Sequence, residues 1–169
     1  MLQTRGMSTF TFLHVVLSLV GIVSGFVVMF GLLTLKPLPG WTAAFLSTTL
    51  ATSVTGFGFP FTRFLPSHAV GVLSIVVLGL AIGAYYGFRH SPRARALYVV
   101  SAVLALYFNV FVLVVQAFLK VPVLHALAPT QAELPFAAAQ GLVLAGFVAL
   151  AIGALRQLRI KGAPAQPAA

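Results

Sequence analysis

Four side chains in this sequence have the type and placement to hold a polar group inside apolar surroundings: His14, His68, Asn109 and Gln116. His14 shares a helical face with Ser18, Gly21 and Gly25, because those spacings return to one side of a 3.6-residue helix. An imidazole on an inward-facing apolar helix is either a ligand or a hydrogen-bonding tie between helices. Asn109 and Gln116 form a second stripe with Ala102 and Ala105, and two amides deep in an apolar stretch must find partners. Their donors and acceptors suit a quinone carbonyl or another polar head, with Tyr107 and Phe108 supplying rings nearby. Hydrogen bonding between helices is the simpler reading of the same stripe. Two imidazoles can also hold a haem, and His14, His68 and His125 with Glu133 could ligate a transition metal. Neither an HExxH nor a CxxCH spacing is present, so neither a metal site nor any catalytic residue is assigned. Haem or quinone remains the cofactor alternative.

These residues are embedded in a chain of 169 residues with 60% hydrophobic and 7% charged positions, and Glu133 is the one acid against ten Lys and Arg. Soluble domains carry about 25% charged residues, so the composition reads as that of a membrane protein, with mean hydropathy +1.08. The net charge of +9 sits at the ends of apolar stretches, which points to topology and anionic lipid headgroups and excludes nucleic acid as a partner. The absence of cysteine removes disulfides, thiolate metal sites and cysteine nucleophiles.

A helix needs roughly 20 apolar residues to cross a bilayer. The spacing predicts an all-α polytopic transmembrane helical bundle, one domain over 1–161, with five spans at about 9–35, 41–59, 69–88, 94–119 and 134–155. The tail 162–169 reads as disordered. The first stretch is too long for a signal peptide and reads as a retained span. The second, WTAAFLSTTLATSVTGFGF, is rich in Ser and Thr, so four spans plus a re-entrant segment is the alternative. With five spans, Lys36, Arg89, Arg93, Arg95, Arg156, Arg159 and Lys161 lie on one side and Arg5, Arg63 and Lys120 on the other. The larger group marks the cytoplasm and takes the C-terminus with it under either count.

Gly21 and Gly25 make one GxxxG spacing, and Gly79, Gly83 and Gly87 make two more, which predicts close helix packing along those faces. Gly56, Gly58 and Pro60 break the second stretch, either as an ordinary helix stop with aromatic residues at the headgroups or as a break whose freed backbone groups are buried in protein or line a wet cavity, and the ordinary stop is the simpler reading. Pro37 and Pro39 stop the first helix, and Ser67 is the expected N-cap of the third.

Two strings, GWTAAFLSTTLATSVTGFGFPF (40–61) and YFNVFVLVVQAFLKVPVLHALAPTQAELPF (107–136), resemble those of a group of uncharacterised small proteobacterial inner-membrane proteins. That resemblance implies a multi-pass protein of a bacterial inner membrane. The segment from Asn109 to Pro122 is faintly similar to DoxX-type four-helix membrane proteins, but the charged and glycine positions of that family's first span are missing, and no residue roles carry over. The leading expectation is a non-enzymatic accessory or assembly protein that packs with itself or with a larger membrane complex. The alternatives are a redox protein holding haem b or quinone between the His14 and Asn109/Gln116 faces, and a minimal transporter or channel around Thr55–Pro60.

Overall fold

The computed structural model describes residues 8–59, 66–87 and 91–162. Its elements are α1 (Thr9–Leu33), α2 (Pro39–Gly56), α3 (Pro66–Ile82, continued by a π-helical turn at Gly83–Gly87), α4 (Pro92–Lys120), α5 (Pro122–Leu127) and α6 (Leu134–Gly162). No strand occurs among the described residues. Four helices are long and apolar enough to cross a membrane: Thr9–Leu33, His68–Gly87, Pro92–Lys120 and Leu134–Ile160. Their outward side chains, such as Val23, Phe30, Val76 and Leu142, are exposed all round the bundle, an arrangement compatible with hydrocarbon as the surrounding solvent.

Local chemistry sets the helix ends. Ser8 caps α1 by accepting the Thr11 amide hydrogen, and Pro39, Pro92 and Pro122 each open a helix where no amide donor is required. The first helix ends at Leu33, two residues earlier than its apolar run, in a Schellman turn: the Lys36 amide donates to the Gly31 carbonyl at 2.9 Å. That turn needs a left-handed residue, and Leu35 supplies it at φ 57°. Helix α3 begins at Pro66, so Ser67 lies inside its first turn and is not its cap. Beyond the expected spans, α4 runs through Lys120, a short α5 follows, and α6 continues past Leu155 to Gly162. Pro60, Arg5, Arg63, Arg89 and the tail from 163 lie outside the described residues.

Consecutive long helices run antiparallel. At one end of the α1–α2 pair Gly31 lies against Leu38; Gly25 meets Phe45 and Gly21 meets Thr49 in the middle; His14 meets Thr55 and Phe10 meets Phe59 at the other end. Helix α4 lies against both through Leu106 and Asn109. Tyr85 of the π-helical turn stacks on Tyr98 of α4, and α6 packs on α4 through Phe147 on Tyr107 and Phe136 on Phe118. Phe45, Leu78, Val99 and Leu106 form the centre of the core and are fully buried.

The glycine faces differ. A Cβ added at Gly25 would sit 2.6 Å from Leu106 Cδ1 and 3.0 Å from the Phe45 ring, and at Gly21 it would sit 3.0 Å from Thr49 Oγ1. At Gly79, Gly83 and Gly87 an added Cβ meets nothing within 4 Å, so those positions admit a side chain without disturbing another element of the chain.

Gly25→Leu should therefore cost about 1–3 kcal/mol by forcing α1 away from α2 and α4, read as a lowered melting temperature in detergent. Gly83→Leu should leave the melting temperature of the monomer within a degree or two of wild type. Leu35→Gly should raise stability by about 0.5–1 kcal/mol, because glycine adopts the left-handed turn without the Cβ penalty; an unchanged or lower melting temperature would count against a strained turn.

Candidate functional site

Where α1 begins, α2 ends, α3 begins and α4 ends, the four helices diverge around a cleft of about 680 Å³. All four residues singled out by type and spacing line it: His14 from α1, His68 from α3, and Asn109 and Gln116 from α4. The rest of the lining is mostly apolar and aromatic, with Ile22, Phe57, Phe59 and Phe108 among it, and is dotted with hydroxyls such as Thr11, Ser18 and Ser74. Beneath it the packed layer of Phe45, Leu78 and Leu106 closes the way toward the other end of the bundle.

The glycine break shapes this opening. Helix α2 ends at Gly56, and the Phe57 and Gly58 amides turn back to the Val54 and Thr55 carbonyls at 3.1 and 3.0 Å. The Phe57 ring then lies across Gly71 of α3, where an added Cβ would be 3.1 Å from it. Phe57 is also 5.8 Å from the buried His68 ring, and Phe59 stands edge-on to His14 at 5.0 Å. Gly58 is tight against Phe10, 2.7 Å from an added Cβ, so a larger residue would push the aromatic segment away from α1.

His14 is tied to α2 by a 2.8 Å hydrogen bond between Nδ1 and Thr55 Oγ1. The Thr55 hydroxyl is 2.7 Å from the Ala51 carbonyl, which can only accept, so the hydroxyl proton belongs on that carbonyl. Thr55 must then accept from His14, which places the imidazole proton on Nδ1 and leaves the Nε2 lone pair as the polar atom His14 offers the cleft. Asn109 is half-buried, and its Nδ2 donates to Thr49 Oγ1 at 3.3 Å, a long bond that ties α4 to α2. Gln116 stands exposed on the cleft wall and makes no hydrogen bond to any described residue.

Two further contributors were not evident from the sequence. Along α2, Ser47, Thr48, Ser53 and Thr55 each return their hydroxyl proton to a carbonyl three or four residues back, as apolar surroundings require. Thr52 does not: it is 8% exposed, lines the cleft, and its Oγ1 has no partner among the described residues. Its position in a Ser/Thr-rich string gave no sign of that difference. Lys120, at the last turn of α4, supplies the cleft with a cation, and its place just before Pro122 was the available signal.

His125 and Glu133 do not join this group. No set of three or more His, Asp or Glu close enough to hold a metal ion occurs among the described residues. His125 is exposed on α5. Glu133 binds its own loop, accepting from the Thr130 hydroxyl at 2.9 Å and from the Ala132 amide at 3.1 Å. Desolvation opposes its ionisation, but these bonds hold the carboxyl below the usual carboxylate range.

The Asn109–Thr49 contact gives a quantitative expectation. In a double-mutant cycle with Asn109→Ala and Thr49→Val, the coupling should be about 0.6 kcal/mol and below about 1.7 kcal/mol, as for hydrogen bonds between membrane helices; additive effects on the melting curve would show that the two side chains are not bonded.

No protein-family model matches the chain, and no curated protein or solved structure is detectably similar to it.

Proposed function

We propose that this chain is a five-crossing protein of a bacterial inner membrane that acts without catalysis, as an accessory protein holding the head of an amphiphilic molecule in the cleft between α1, α2, α3 and α4. The carrying observation is the cleft itself, about 680 Å³ with mostly apolar walls and several polar groups, among them a buried Thr52 hydroxyl that no described residue satisfies. Sites for small apolar ligands have this size and this mixture of lining. The chain's one acid, Glu133, lies outside the cleft, which leaves no carboxylate there for general acid–base work.

Two observations support α2 as the fifth crossing. Its contacts with α1 run from Gly31 and Leu38 at one end to Phe10 and Phe59 at the other, so α2 travels nearly the full length of a helix that is itself long enough to span. At 18 residues it is about 27 Å long, close to the thickness of the hydrocarbon core. Its low hydropathy follows from hydroxyls that are bonded back to its own carbonyls, and these cost less in lipid than a residue-by-residue scale assigns. Five crossings put the cleft at the outer end and the C-terminus in the cytoplasm, with the arginines of the α3–α4 and α6 ends.

Reporter fusions should place a tag at Met1 outside and a tag at Ala169 inside; both tags on one side would mean an even number of crossings. Val112 lines the cleft, and Val112→Trp should set an indole ring in it and obstruct a bound ligand. The variant should melt no lower than wild type but lose any lipid that survives purification of the wild type in mild detergent, read by native mass spectrometry. Equal retention by both proteins would sink the binding role.

A further inference from the structure

We infer that the cleft takes an isoprenoid quinone and favours its reduced, hydroquinone form. This rests on the reading of the cleft as a site for an amphiphile and names the class of molecule. No acid lines the cleft: its polar side chains are hydroxyls, the His14 and His68 imidazoles and the Asn109 and Gln116 amides, and the one Lys or Arg in the lining, Lys120, is exposed at the end of α4. An anionic head would meet no cation in the depth of the cleft, whereas a neutral ring carrying two oxygens meets hydrogen-bonding groups from more than one helix. Those groups stand on different helices, His14 on α1 and the two amides on α4, with Phe108 beside them to pack against a planar ring. Most of the remaining lining is apolar, which suits an isoprenoid tail.

The preference for the reduced form comes from the His14 tautomer. With its proton committed to Thr55 through Nδ1, His14 meets a ligand only as an acceptor at Nε2. A hydroquinone O–H donates to that lone pair, while a quinone carbonyl leaves it unpaired. From α4 the Gln116 amide, which makes no hydrogen bond to any described residue, donates to either form, since both carbonyl and hydroxyl oxygens accept. The buried Thr52 hydroxyl, which has no hydrogen-bond partner among the described residues, gains one when the cleft is filled by an oxygen-bearing head.

The test uses the full chain purified in mild detergent without oxygen, with calorimetric titration of a short-chain benzoquinone and of the corresponding hydroquinone, beside mass spectrometry of an organic extract of the untreated protein. The extract should contain an isoprenoid quinone. The hydroquinone should bind about tenfold more tightly than the quinone, the worth of one additional hydrogen bond. His14→Phe should erase that difference between the two forms. Gln116→Leu should weaken both forms about tenfold while leaving the melting curve unchanged, because Gln116 has no bond to lose among the described residues. Equal binding of the two forms by the wild type, or a preference that survives His14→Phe, overturns the hydroquinone assignment. A glycerophospholipid as the only extracted lipid, displaced by Val112→Trp and with no saturable quinone binding, overturns the quinone class but leaves the amphiphile site standing. No retained lipid and no saturable binding overturns both.

Discussion

At Gly25 three helices come closer than any side chain would allow. A single Cβ there would lie 2.6 Å from Leu106 of α4 and 3.0 Å from Phe45 of α2, so the missing side chain fixes the separation of α1 from both neighbours at one level of the bundle. In lipid this contact is not driven by exclusion of water, and it depends on van der Waals fit and on the small residue that permits it. Everything toward the His14 end follows from that fixed layer. One helical turn away, Gly21 brings α1 against Thr48 and Thr49 of α2 and the amide of Asn109. Beyond that the helices carry larger or polar residues, they no longer touch along their whole width, and the cleft opens.

Burial of polar groups among apolar helices is costly unless each finds a partner. The protein meets that demand almost everywhere by the cheapest local means, with Ser18, Ser24, Ser53, Thr55 and Ser101 all donating to carbonyls of their own helices. Ties between helices are few and specific. His14 holds α1 to the end of α2, Asn109 holds α4 to its middle, and Gln140 donates to the Phe111 carbonyl to hold α6 to α4. Against that background, the unsatisfied hydroxyl of Thr52 stands out because it lies on the cleft while Ser53 and Thr55 beside it donate to carbonyls of their own helix. The helices to either side differ in what they offer. Helix α3 leaves Gly79, Gly83 and Gly87 open, while α6 contributes mainly aromatic and small residues to one side of α4.

Much of this was legible in the sequence for a physical reason. Helical period and the cost of polar groups in lipid place His14 and the Asn109/Gln116 stripe on inward faces without knowledge of the neighbours. That the two faces open on one cleft is a matter of topology, which period alone does not give. The all-helical class and four of the apolar segments follow from length and hydropathy; the Trp41–Phe59 stretch resisted because its hydroxyls lower hydropathy whether or not they are bonded internally. GxxxG spacing marks a face and not its occupant, which is why Gly25 sits in the tightest contact of the fold while Gly83 meets nothing. Leu35 gave no signal at all: a left-handed residue is expected to be glycine or asparagine, and here the turn is imposed by the short link between α1 and α2.

The central claim is that a tight layer at Gly25 supports an open cleft above it, and the absence of cysteine makes that claim directly measurable. Ser18 is half-buried on the cleft wall, whereas Ser24, on the same helix, is 1% exposed within the packed layer. Two variants, Ser18→Cys and Ser24→Cys, can be treated with a membrane-permeant maleimide in the folded, detergent-solubilised protein and the labelling rates compared by mass spectrometry. The expected result is rapid modification at position 18 and protection at position 24 until the protein is unfolded. Protection at both positions would mean that the cleft is closed, and rapid modification at both would mean that the layer beneath it does not exist.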